Sequence, residues 1–323
     1  MRLRTAITGL TAAALTAAGL TLSAGAQEIT VATTAIVEHP ALDAARDGVR
    51  DELAAAGYVE GKNLRFLYES AQGNPATAAQ IARKFVGEAP DVIVPISTPS
   101  AQAVVSATDD IPVVFTAVTD PVGAKLVGDP MMPGGNVTGM SDLSPIGKHL
   151  DLIKQISPDA KIVGVPFNPG EANSVTLLEL IKKEAPARGL TIVEAPATKS
   201  SEVLGAAQSL VGKADVIYVP TDNTIVSAFE AVVKVGVDNK VPVYAGDTDS
   251  VPRGAIAAVG FNYYDIGRQT GKMVVRILKG EAPGTIPVEG VEITELYVNP
   301  AMAAKMGVTI PDSVIAKAKE VVQ

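Results

Sequence analysis

Short runs rich in Val and Ile recur along this chain, with room for one helix between successive runs. That alternation constrains the fold more than any other feature. The runs fall at 28–35, 63–68, 91–95, 112–116, 160–166, 190–195, 215–219, 241–245 and 255–260. Most are four to eight residues long and nearly continuous in apolar character, as strands covered on both faces are. Between them lie helical patterns. Leu42, Ala45, Val49 and Leu53 share one face, with Asp43, Arg46, Asp47, Arg50 and Asp51 elsewhere, and Gly57 closes the stretch. Ile266, Thr270, Met273, Val274, Ile277 and Leu278 form a second stripe, closed by Gly280. Strand and helix in strict alternation imply parallel sheets with helices on both faces.

Nine strands are better divided between two sheets than held in one, because single cores stop growing beyond roughly 250–300 residues. The Pro- and Gly-rich stretch 119–142 breaks the rhythm, and further breaks fall at 246–254 and 282–289. Three breaks predict an α/β chain of two Rossmann-like lobes joined by three crossings. The expected division is 28–141 with 247–281 for the N-terminal lobe, and 142–246 with 282–323 for the C-terminal lobe.

The first residues carry an address. Arg2 and Arg4 precede an uncharged stretch from Thr5 to Leu22, and Ala24-Gly25-Ala26 follows. This is a basic start, an apolar run and a small-residue cleavage site, so 1–26 reads as a signal peptide cut after Ala26. A membrane anchor is the competing reading, but Ala, Thr and Gly make a poor span. Cleavage leaves 297 residues and a formal charge of −10, from −8 for the whole chain. There is no Cys. That excludes disulfides, thiol chemistry and a lipid-modified N-terminal Cys, so the expectation is a freely diffusing periplasmic protein. The acidic balance argues against nucleic-acid binding, which needs a basic footprint.

Catalytic signatures are missing. The chain has no G-x-S-x-G, no phosphate-binding G-x-x-x-x-G-K-[ST], no H-E-x-x-H, and no G-x-G-x-x-G after the first strand. His39 and His149 are far apart, and each reads as a surface or cap histidine rather than a base. Asp247-Thr248-Asp249 reads as a turn more readily than as an acid–base couple. No metal or cofactor is expected.

Polar clusters instead follow the strands, where ligands bind in open α/β sheets. They are Glu38-His39-Pro40, Ser97-Thr98-Pro99-Ser100, Thr119-Asp120-Pro121, Asn168 to Ser174, and Thr221-Asp222-Asn223-Thr224. Each alone is a helix cap. Together they suit a zwitterion: amides and hydroxyls at Ser97 and Thr98 for a carboxylate, and Asp120 or Asp222 for an ammonium. Phe167 and Tyr263-Tyr264 are candidates to stack on a ligand, or core residues.

The clusters around 38–43, 97–102, 119–124 and 220–224, with Pro133 to Gly139 and Asp265 to Met273, resemble the ABC-transporter solute-binding family associated with tryptophan and tyrosine uptake. The likeness runs from about Glu28 to Val314. It implies a type I periplasmic-binding fold with three hinge crossings, an aromatic or apolar amino acid between the lobes, and a membrane permease as partner. Carried onto this chain, the ligand residues are Ser97, Thr98 and Asp120 from one lobe. Asn173, Ser174, Asp222 and Asn223 come from the other, and Asp247 lies near a crossing. His39 and Phe167 complete the candidates. A monomer is expected. The other readings are an exported α/β hydrolase, motivated by Asp120, Asp222 and Asp247, and a receptor-docked chemosensory protein.

Overall fold

The computed structural model describes residues 28–291 and 293–323. The expected signal peptide lies outside the described residues. No helix among the described residues is long and apolar enough to cross a membrane.

The first half of the chain alternates strand and helix as expected: β1 (Ile29–Ala35), α1 (Pro40–Ala55), β2 (Leu64–Ser70), α2 (Pro75–Glu88), β3 (Val92–Ile96), α3 (Thr98–Val105), β4 (Val113–Val118) and β5 (Val137–Ser141). After a crossing come α4 (Ile146–Ile156), β6 (Ile162–Phe167), α5 (Ala172–Glu184), β7 (Thr191–Pro196), α6 (Val203–Ser209), β8 (Val216–Val219), α7 (Asn223–Ser227), α8 (Phe229–Asn239), β9 (Val243–Ala245) and β10 (Ala257–Gly260). The chain then returns through α9 (Tyr263–Leu278) and β11 (Glu289–Gly290). It ends with β12 (Glu295–Val298), α10 (Pro300–Lys305), α11 (Asp312–Ile315) and β13 (Glu320–Val321).

The strands form two sheets, ordered β11-β5-β4-β3-β1-β2 and β13-β12-β10-β9-β8-β6-β7. Every pairing is parallel except β10 with β12. All nine expected strands are present. The segment 119–142, read as irregular, also contains β5. Its sequence hides a strand because Gly139 interrupts the β-branched run, and the reason lies on the neighbouring strand. A side chain there would place Cβ 2.1 Å from the Phe115 carbonyl oxygen on β4.

Sheet membership moves two expected boundaries. β10 belongs to the second sheet, so the chain recrosses between Gly260 and Tyr263 rather than at 247. Residues 282–290 belong with the first sheet, not the second: β11 pairs with β5, Gly134 N–H donates to Gly284 O at 3.0 Å, and Ile286 is buried in the first lobe's core. The third crossing therefore follows Gly290. Gly and Pro at 246–254 and 282–289 mark turns inside a lobe, which composition does not separate from crossings.

The stripes expected on α1 and α9 bury against each other. Leu42, Ala45, Val49 and Leu53 meet Ile266, Met273, Val274 and Ile277 in one core. The two helices touch backbone to backbone at glycines. A Cβ on Gly267 would lie 2.0 Å from the Ala45 carbonyl oxygen, and one on Gly48 would lie 2.2 Å from that of Tyr264. Gly57, at φ 94°, ends α1 as expected.

Candidate functional site

The carboxyl ends of both sheets face one cavity, lined by residues of both lobes. The first lobe contributes His39, Ala41 and Leu42 from the start of α1, Ala117 and Thr119 from the end of β4, and Tyr263 from the first turn of α9. The second contributes Asn173 on α5, Thr221, Asn223 and Val226 around α7, and Asp247 after β9. Asp142 stands on the first crossing and lines the cavity too.

Local geometry aims these groups. At the end of β4 the register slips between Phe115 and Val118, and Ala117 takes a left-handed φ of 54°. A bulge of this kind redirects a strand end, at a backbone cost of roughly 1–2 kcal/mol for a residue with a Cβ. Ser97, at φ 78°, does the same at the end of the neighbouring β3.

Two buried carboxyls lie on the cavity's hinge side. Asp142, 3% exposed, accepts the Tyr263 hydroxyl on Oδ2 at 2.7 Å and the Thr119 hydroxyl on Oδ1 at 3.3 Å. Asp247 accepts the Ser250 backbone N–H on Oδ1 and the Ser250 hydroxyl on Oδ2, both at 2.8 Å. Burial raises both carboxyls above their ordinary range. A carboxylate has about four lone-pair sites, so each can accept more. The guanidinium of Arg253 draws Asp247 back down, but it is committed bidentately to Glu230 at 2.7 and 2.8 Å.

Several buried polar atoms around the cleft have no protein partner. They include His39 Nδ1, Asn173 Oδ1 and Thr221 Oγ1 on the lining, and the hydroxyls of Thr34, Ser97, Thr98 and Ser100 at the strand ends of the first lobe. Buried polar groups are almost always hydrogen-bonded, so the three on the lining are available to a polar ligand.

Of the expected site residues, His39, Asn173, Asn223 and Asp247 line the cavity. Ser97 and Thr98 are buried beside it, off its lining. The others have local employment. Asp120 accepts the Gly123 N–H at 2.8 Å and closes a turn. Phe167, at the end of β6, belongs to the second lobe's core. Asp222 caps α7 through the Ile225 N–H at 2.9 Å, and its other oxygen takes the Asn168 N–H at 2.6 Å and the Ser174 hydroxyl. Asp222 and Ser174 thus tie two loops together and leave the ammonium role to others. The histidines are a further correction. His39 occupies the α1 cap position without a capping bond, and His149 is buried with Nδ1 against the Tyr218 hydroxyl. Burial lowers them to about 3 and about 4. Tyr263 is the aromatic on the cavity, whereas the Tyr264 hydroxyl donates to Asp51 on the surface at 3.0 Å. Sequence reading passes over Asp142, because it sits on a crossing rather than in a strand-to-helix turn.

Asp222 has a measurable signature. Burial, then the charge of nearby Glu171, push its carboxyl up to about 7. The folded state holds that proton more tightly than the unfolded chain, so this group's contribution to stability declines as pH rises from about 4 through 7. The stability of Asp222→Asn relative to the parent is expected to rise by about 2 kcal/mol between pH 5 and pH 8. Denaturant unfolding of both proteins at the two pH values reads it, and a pH-independent difference would refute it.

Comparison with known proteins places this geometry in a family. The model for ABC transporter substrate binding proteins matches residues 30–322. The chain is 44% identical over 264 residues to a tyrosine-binding protein of Clostridioides difficile, covering 82% of this chain and 76% of that one. A Streptococcus pneumoniae ABC domain in complex with L-Trp superposes with a TM-score of 0.88 at 36% identity, covering 92% of this chain and all of that one. A ligand-free, open substrate-binding protein with adhesive properties from Clostridium difficile superposes with a TM-score of 0.68 at 41% identity, covering 91% and 99%. Two parallel sheets, three crossings and a cavity between them are the type I periplasmic-binding fold, and this chain belongs to the ABC transporter substrate-binding protein family.

Proposed function

We propose that this protein binds an aromatic L-amino acid between its lobes and delivers it, as a monomer in the periplasm, to an ABC permease. The observation that carries this reading is the pairing of opposite chemistries in one cavity. Asp142 and Asp247 offer carboxylates to an ammonium, and Leu42, Ala117, Val226 and Tyr263 offer an apolar bed to a ring. An ammonium in a closed cleft needs a carboxylate partner, because an unpaired buried charge is costly. The lobes sit as in the tryptophan complex rather than the open relative, which scores lower despite its higher identity. That supports closure about the crossings as the motion that traps ligand. The signal-like N-terminus of the sequence supports export. Trapping and release, not turnover, is the activity these groups serve.

Ligand should raise the melting temperature, since it binds only the folded state. At a hundred times Kd the gain is about 2.7 kcal/mol. Thermal unfolding with L-tryptophan, L-tyrosine and L-phenylalanine tests this, and no shift with any amino acid in a complete panel would sink the reading.

A further inference from the structure

Glu171 lies behind the cavity's second-lobe wall, 5% exposed, at the cap position of α5. Six donors converge on its two oxygens and no acceptor does. Oε1 receives Asn168 Nδ2 at 3.3 Å, Thr224 N–H at 3.1 Å and the Thr224 hydroxyl at 2.7 Å. Oε2 receives Asn173 Nδ2 at 3.4 Å, Asn223 N–H at 3.3 Å and Asn223 Nδ2 at 2.5 Å. Three of these donors belong to Asn173 and Asn223, which line the cavity.

An asparagine amide has one face that donates and one that accepts, and its surroundings decide which way it points. Here the choice is forced. Asn173 Nδ2 also donates to the Thr221 carbonyl oxygen at 3.2 Å, so acceptors alone stand on that side. Reversing either amide would press oxygen against carboxylate oxygen with no proton between them. Asn173 Oδ1 is consequently turned away from every protein donor, buried and without a partner.

We propose that Glu171 is a positioning residue for specificity. By holding the Nδ2 groups of Asn173 and Asn223, it turns their carbonyl oxygens to the cavity and makes that wall a reader of ligand N–H donors. The proposal rests on the functional reading above and deepens it. With Asp247 beside them, the wall then presents acceptors to the ligand. An amino group completes it, whereas a ligand lacking that group leaves buried acceptors unpaired. Glu171 acts without lining the cavity itself.

Glu171→Gln tests this in the full chain. The variant replaces one carboxylate oxygen by an Nε2 donor; placed on the Oε2 side, that donor needs the amides of Asn173 and Asn223 to reverse and present NH₂ to the ligand. Titration calorimetry would compare L-tryptophan with indolepropionate, and L-tyrosine with hydroxyphenylpropionate, pairs that differ only in the amino group. In the variant, the preference for the amine-bearing partner should shrink by about tenfold or more, the worth of a hydrogen bond to a charged group. A merely structural role would weaken both partners alike and leave the ratio intact. Asn173→Ala, which keeps Glu171 and deletes the acceptor, should narrow the same ratio, and it serves if the glutamine variant does not fold. An unchanged ratio in the folded variant, with the parent protein binding amino acids, overturns this proposal alone. Parent protein that binds none of the amino acids overturns the functional reading and this proposal together.

Discussion

Replacing Gly267 by alanine is expected to destabilise the protein by about 3 kcal/mol, near the upper end for overpacked sites. In a chain of this size that is a fall of roughly 6–12 °C in melting temperature. The added Cβ would meet the Ala45 carbonyl at 2.0 Å, and a backbone oxygen of a buried helix cannot swing aside as a flexible side chain can. Relief requires α1 and α9 to separate, which opens the Leu42, Val49, Ile266 and Met273 core along its length. The matched control is Gly205→Ala on α6, where a Cβ meets nothing within 4 Å. There the same change should stabilise by about 0.5–1 kcal/mol, because alanine is the better helix residue. Denaturant unfolding of both variants checks the pair. Equal effects at the two positions would contradict the close approach of the helices.

Asp142→Asn is expected to move binding and stability apart. The isosteric amide can still accept from the Tyr263 hydroxyl, so the crossing keeps its shape. What disappears is the negative charge proposed to meet the ligand's ammonium. Breaking a buried charge pair costs about 3–5 kcal/mol, so affinity for an amino acid should fall by at least a hundredfold. Burial raises the Asp142 carboxyl, so its charge costs the unliganded protein stability at neutral pH. The variant without ligand should therefore melt no lower than the parent. Calorimetric titration with thermal unfolding tests both halves. A variant that retains affinity would remove Asp142 from ammonium recognition, and one that melts lower would give it a structural role instead.

Much of the fold is legible because period and composition are local. Nine strands and the apolar stripes of α1 and α9 can be read directly from Val and Ile spacing. Strand β5 and the exact crossings escape, since Gly139 answers to Phe115 on another strand, and glycine-rich turns look alike inside and between lobes. The site divides in the same way. Residues in strand-to-helix turns, such as Asn173, Asn223 and Asp247, announce themselves by position. Their orientation does not. Asp222 and Asp247 are both aspartates just after strands, yet one is consumed by three donors inside its lobe and the other faces the cavity. That difference arises from loops 54 residues apart meeting in space. Asp142 escapes because its importance comes from lying between the lobes.

The return of α9 to the first lobe has a consequence for how the chain acquires its structure. The lobe that begins at β1 keeps the outer face of α1 uncovered until residues past 260 have been made and brought back. The second lobe, whose strands β6 to β10 are nearly contiguous in sequence, also waits for β12 and α10, but over a shorter span, with Met306 meeting Val243 across 63 positions. Contacts between residues more than two hundred positions apart form slowly, since a long loop must close before they are rewarded. The α1–α9 seam is thus expected to close late in folding, and until it does the apolar face of α1 stays open.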